Sequence, residues 1–182
     1  MIKDDIYIRY IKKISDMLMT INKNNNEKNI LISGASGMIG TVIIDILIYM
    51  NDFHGYKYKI YGLGRSEIRA KDMFVNYENR NDFNFIMCDI NKNNIDIGAV
   101  DYIIHAASNT HPVDYSTDPI GTITANVIGT NNLLEYAVSH GCSRFVFLSS
   151  VEIYGENKGD IERFDETYNG YINCNTLRAG YP

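Results

Sequence analysis

Asn29-Ile30-Leu31-Ile32-Ser33-Gly34-Ala35-Ser36-Gly37-Met38-Ile39-Gly40 is the stretch whose reading decides the fold. Residues 29–33 are a short unbroken apolar run, as a parallel strand buried on both faces should be. Residues 38–50 are again apolar but long enough for a helix. From the strand into the helix start, Gly34, Gly37 and Gly40 stand in the spacing G-x-x-G-x-x-G, a variant of the dinucleotide fingerprint. Gly34 permits a tight turn, Gly37 lets the backbone approach a pyrophosphate, and Gly40 allows close helix–strand packing. The free N–H groups and dipole at the helix start then hold negative charge. Gly34, Ser36, Gly37, Met38, Ile39 and Gly40 are therefore candidate cofactor-binding residues.

The pattern continues on both sides. Tyr58–Leu63, Phe83–Met87, Tyr102–His105 and Arg144–Ser149 read as strands, with helices predicted over 67–77 and 122–140 between them. The second of these helices stops at Gly141, a plausible C-cap. Alternation of apolar strands with helices predicts an α/β fold, a parallel sheet covered on both faces. Upstream, Ile11, Ile14, Met17, Leu18 and Ile21 share one helical stripe, followed by the polar segment 22–28. Residues 1–28 thus read as a helical extension, which packs on the surface of a domain beginning at 29 or contacts a partner. The tail over 156–167 is polar and reads as loop.

Bulk properties exclude several classes. The chain has 182 residues and a formal net charge of −5, from 17 Lys+Arg against 22 Asp+Glu. That argues against a nucleic-acid binder relying on positive charge. No apolar run is long enough to predict a membrane span. Lys3, Asp4 and Asp5 interrupt the start where a signal peptide would be apolar. Cys88, Cys142 and Cys174 are widely spaced, form no Cys-x-x-Cys pair, and point to neither a metal site nor a disulfide framework. A reducing cytoplasm is the simplest expected compartment.

The end of the second strand chooses the cofactor in such folds. Here it reads Tyr61-Gly62-Leu63-Gly64-Arg65-Ser66-Glu67, with no acid at the strand tip. Arg65 and Ser66 suit the 2′-phosphate of NADP, Glu67 lies close by, and a solvated surface role for Arg65 stays open. The reading favours NADP slightly and keeps NAD.

Taken together the motifs resemble the extended short-chain dehydrogenase/reductase family, the NAD-dependent epimerases and dehydratases of nucleotide sugars. Residues 33–40 resemble its cofactor turn, and Cys88-Asp89-Ile90 its adenine-side acid. His105-Ala106-Ala107-Ser108 resembles its nicotinamide-side motif, and Asn126-Val127-Ile128-Gly129-Thr130 its asparagine motif. Phe147–Gly155 resembles the strand-five serine motif, and Arg178-Ala179-Gly180-Tyr181 the approach to the catalytic tyrosine. The resemblance covers residues 29–182. It implies a doubly wound, Rossmann-like sheet in the order 3-2-1-4-5, with Asp89, Ile90, Ala106, Ala107, Ser108 and Asn126 at the cofactor. Asp89 also fits a plain strand-end turn, and Asn126 a plain helix surface. Ala106 and Ala107 are small enough for a flat ligand to pass close to the backbone.

The resemblance also implies chemistry. Ser150 would hydrogen-bond the reacting oxygen and Tyr181 would be the acid/base, with a lysine four residues on favouring its phenolate. The chain ends at Pro182, so that lysine, and the C-terminal substrate domain, are expected to be missing and the fragment inactive. One sheet face would then expose an apolar patch. Glu152, with Val151 where dehydratases carry Asp, tilts the implied reaction toward dehydration or decarboxylation; epimerisation stays open, as do a net NADPH-dependent reductase and a non-catalytic dinucleotide-binding remnant. A nucleotide sugar is the implied substrate of the full-length parent, for which the resemblance also allows a homodimer.

Overall fold

The computed structural model describes residues 4–21, 27–92, 95–109 and 112–175. Strands β1 (Lys28–Ser33), β2 (Tyr58–Gly64), β3 (Phe83–Met87), β4 (Tyr102–His105) and β5 (Arg144–Phe147) form one sheet in the order β3-β2-β1-β4-β5. All four pairings are parallel, as the sequence and its resemblance predict. Side chains alternate across the pleat, so Ile30 and Ile32 enter one core while Leu31 enters the other.

The first core lies under helices α1 (Asp5–Ile21), α2 (Met38–His54) and α3 (Glu67–Phe74), where Ile44, Ile48 and Phe74 meet Ile60 and Phe83. The second gathers Leu63, Ile90 and Ile103 beneath Leu133, Tyr136 and Ala137 of α6 (Thr130–Ser139). Short helices α4 (Pro112–Thr117) and α5 (Pro119–Thr124) precede α6. The predicted helix over 122–140 starts earlier than expected. Asp118 accepts the Gly121 N–H at 2.9 Å as an N-cap, and Pro119 occupies the first turn. That Asp-Pro pair was a readable start signal. A π-helical segment, Ala125–Gly129, joins α5 to α6. It brings Gly129 against Ile90, where a Cβ would lie 2.7 Å from the Ile90 side chain. Helix α3 is shorter than predicted, its last turn tightening into a 3-10 segment, Val75–Tyr77.

Two expectations need correction. In α1, Ile11 is buried but Met17 is 56% and Ile21 78% exposed. The contact face is turned toward Tyr7, Ile11 and Ser15 because a polar cluster fixes the helix. The buried carboxylate of Asp45 on α2 accepts hydrogen bonds from the Tyr7 hydroxyl at 2.5 Å and the Tyr77 hydroxyl at 2.6 Å. Burial and the carboxylate both push the two phenols' pKa values up, so they stay protonated donors. The second correction is β5, which is not covered on both faces. Val146 and Phe147, neighbours on opposite faces of the pleat, are both exposed at this sheet edge.

Candidate functional site

The chain runs β1, β2, β3 to one side of the sheet and then crosses to β4 and β5 on the other. Where the direction reverses, the loops after β1 and β4 diverge and leave a crevice at the carboxyl ends of the strands. A cleft of about 280 Å³ opens there. The turn after β1 supplies its floor through Gly34, Ser36, Gly37, Met38, Ile39 and Gly40. Arg65 enters from the tip of β2, Asp89 and Ile90 from behind β3, and Ala106, Ala107 and Ser108 from behind β4.

The turn is built by close approach. Gly34 has φ 70°, and a Cβ there would lie 2.6 Å from the Ala106 carbonyl oxygen. A Cβ on Gly40 would lie 2.3 Å from the Gly34 carbonyl oxygen. Thus the first and last glycines let strand end, turn and helix touch. Ala35 N–H donates to the Leu63 carbonyl at 3.0 Å, and the buried Thr41 hydroxyl donates to the Ala35 carbonyl at 3.1 Å, holding the turn. The α2 ladder begins with Thr41 N–H on the Gly37 carbonyl. No side chain caps this helix, so the N–H groups of Met38, Ile39 and Gly40 precede the ladder on residues that line the cleft. An uncapped helix start on a glycine floor fits a pyrophosphate.

Among the described residues the rim carries one cationic and one anionic side chain, Arg65 and Asp89. Asp89 also shapes its own turn, accepting the Asn91 N–H at 3.2 Å. Glu67, close to Arg65 in the chain, does not line the cleft. Its carboxylate pairs with Lys71 at 2.9 Å along the α3 surface. Ser66 is the α3 N-cap, its hydroxyl accepting from Arg69 N–H at 3.2 Å. Asn126 stands behind the rim and accepts the Ser108 hydroxyl at 2.8 Å.

Below the rim lies His105, a residue of the quoted motif whose own role the sequence does not assign. His105 is fully buried at the end of β4. Its Nδ1 meets the Ser33 hydroxyl at 2.7 Å and its Nε2 the Thr130 hydroxyl at 2.9 Å, tying β1, β4 and α6 together. Burial lowers its pKa from 6.5 to about 4, so it is neutral at pH 7. Asn109, one residue beyond the quoted motif, also lines the cleft. Its position directly after Ser108 was the available signal.

Ser150 and Glu152 are not among the cleft-lining residues. They sit on a 3-10 turn after β5, Val151–Tyr154, where the Ser150 hydroxyl accepts the Glu152 N–H at 3.3 Å. Tyr181 lies outside the described residues. Among the described residues no cluster of metal-ligating side chains occurs, and no helix is long and apolar enough to cross a membrane.

A doubly wound α/β sheet with a glycine-rich turn at its switch point defines a dinucleotide-binding class of domain. The family model for NAD dependent epimerase/dehydratase proteins matches residues 30–178. The chain belongs to that family. It is 32% identical over 162 residues to UDP-glucuronic acid decarboxylase 1 of Danio rerio, covering 86% of this chain and 35% of the relative. It is 28% identical to UDP-glucuronic acid decarboxylase 4 of Arabidopsis thaliana, over 84% of this chain and 32% of that one. The chain thus spans about a third of the length of the curated relatives it matches. Among solved structures, a dTDP-glucose 4,6-dehydratase from Streptomyces venezuelae with NAD and TYD bound superposes with a TM-score of 0.69. It is 23% identical and covers 80% of this chain and 46% of that one. That likeness shows the fold.

Proposed function

We propose that this chain is the cofactor-binding part of a nucleotide-sugar-converting enzyme, with NAD or NADP lying in the cleft at the switch point. The observation that carries the proposal is the uncapped α2 N-terminus set on the Gly34–Gly40 turn. In this reading the turn takes the pyrophosphate, Asp89 accepts the adenine amino group, and Ala106 and Ala107 border the nicotinamide. A nicotinamide held there would supply a reversible hydride acceptor. Arg65 on the rim, with Glu67 occupied by Lys71, supports NADP slightly over NAD. Calorimetry on residues 1–182 tests this. A dissociation constant is expected for at least one dinucleotide, and binding of neither overturns it. In Arg65→Ala the NADP-to-NAD affinity ratio should fall about tenfold, the value of one charge-assisted hydrogen bond. An unchanged ratio removes Arg65 from the choice.

The proposed parent reaction is redox-neutral: oxidation at sugar C4, then elimination or decarboxylation. The relatives named UDP-glucuronic acid decarboxylase and the Val151-Glu152 pair favour decarboxylation of a nucleotide glucuronic acid. Ser150 would hold the C4 oxygen and Tyr181 would take its proton. Glu152 would handle the proton at the neighbouring carbon. Residues 1–182 hold Tyr181, the proposed acid/base. In a longer parent, Tyr181→Phe should lower turnover at least a hundredfold, the lower range for general acid–base catalysis. Product analysis checks this, and full activity of the variant parent would remove Tyr181 from the chemistry.

A further inference from the structure

Asn109 and Arg65 form a contact that the cofactor reading does not use. Thr122 on α5 is fully buried, and its hydroxyl donates to the Asp118 carbonyl at 3.0 Å. A hydroxyl has one proton. Toward Asn109 it therefore presents a lone pair, and the Asn109 Nδ2 donates to it at 3.4 Å. This fixes which end of the amide faces which way. Its Oδ1 is left to accept a hydrogen bond from Arg65 Nη2 at 3.3 Å.

The topology gives that bond its meaning. Arg65 follows the last residue of β2, and Asn109 lies in the loop after β4. Strands β2 and β4 flank β1 on opposite sides. The Arg65–Asn109 bridge therefore spans from one side of the β1 turn to the other, and both residues line the cleft. A dinucleotide stretched along the carboxyl ends of the strands would have to pass between them.

We propose that Asn109 is a positioning residue that latches Arg65 across the cleft mouth, and that a dinucleotide enters when this bridge opens. The inference rests on the cofactor reading above. Opening frees the guanidinium, which can then meet a 2′-phosphate when the ligand is NADP. The cost of opening falls equally on NAD and NADP, because neither binds the latched state. Apparent affinity is then reduced by the fraction of molecules that are latched.

The test is calorimetry with NAD and with NADP on the 182-residue chain, for wild type, Asn109→Ala, Arg65→Ala and the double variant. Asn109→Ala should tighten both dinucleotides by roughly two- to fivefold, the value of one partly exposed hydrogen bond. Their ratio should not change. In the Arg65→Ala background, Asn109→Ala should have no effect, an outcome a merely structural role would not produce. Selective weakening of NADP by Asn109→Ala would make the contact a support for phosphate binding and overturn the latch. So would an unchanged affinity, or an effect that persists without Arg65. If wild type binds neither dinucleotide, the cofactor reading itself fails and the latch with it.

Discussion

Gly34→Ala should destabilise the domain by about 3 kcal/mol, a thermal midpoint roughly 6–12 °C lower for a chain of this size. Two costs add. Gly34 has φ 70°, a left-handed conformation that costs a residue with a Cβ about 1 kcal/mol. The new Cβ would also lie 2.6 Å from the Ala106 carbonyl oxygen and 2.9 Å from the Ala107 Cα. Those are backbone atoms at the end of β4, so no side chain can swing aside. Either β1 and β4 separate or the turn is rebuilt. Gly55→Ala is the matched control. It has φ 71° with nothing within 4 Å of the added Cβ, so it carries the conformational cost alone. A calorimetric scan in which the two variants lose equal stability would show that the close approach costs nothing. Dinucleotide binding should be lost in Gly34→Ala and kept in Gly55→Ala.

Acid should weaken the fold through His105 before most carboxylates titrate. Burial holds its folded pKa at about 4 against an ordinary 6.5. The neutral ring is the form the folded state prefers, so its stability is fully present above pH 6.5. It is lost as pH falls toward 4, where the unfolded chain takes up a proton that the folded chain refuses. Below about pH 4 both states are protonated and this loss stops growing. The full loss is on the order of 3 kcal/mol. Carboxylates held low by partners act at lower pH. Asp82 is held down by Arg80, and Asp101 by Lys28 and the Asn29 N–H, against the desolvation that raises it. Urea unfolding at several pH values between 7.5 and 4.5 should show the slope, and His105→Gln should flatten it. The same slope in the variant would assign it to other groups.

Local pattern was enough for most of the fold. The five strands and the glycine turn were legible because burial on both faces, and the change from strand to helix, are written in neighbouring residues. The π segment before α6 was not, because nothing local distinguishes i+5 from i+4 bonding in Ala125–Gly129. Nor was the orientation of α1. Its apolar stripe includes Met17 and Ile21, yet the helix is held by Tyr7 on Asp45, a contact across 38 residues that no periodicity encodes.

The same division holds for the site. By itself the sequence determined that three spaced glycines lead from a buried strand into the first turn of a helix, and that an arginine replaces an acid at the tip of β2. Both are properties of chain order. Only the tertiary structure decided that Glu67 turns to Lys71 and away from the cleft. It alone placed His105 dry beneath the rim and brought Arg65 to Asn109 across the turn. These depend on which strands become neighbours and how side chains share donors and acceptors. Sheet order joins residues far apart in the chain, and the number of protons on each group then decides which partner it can take.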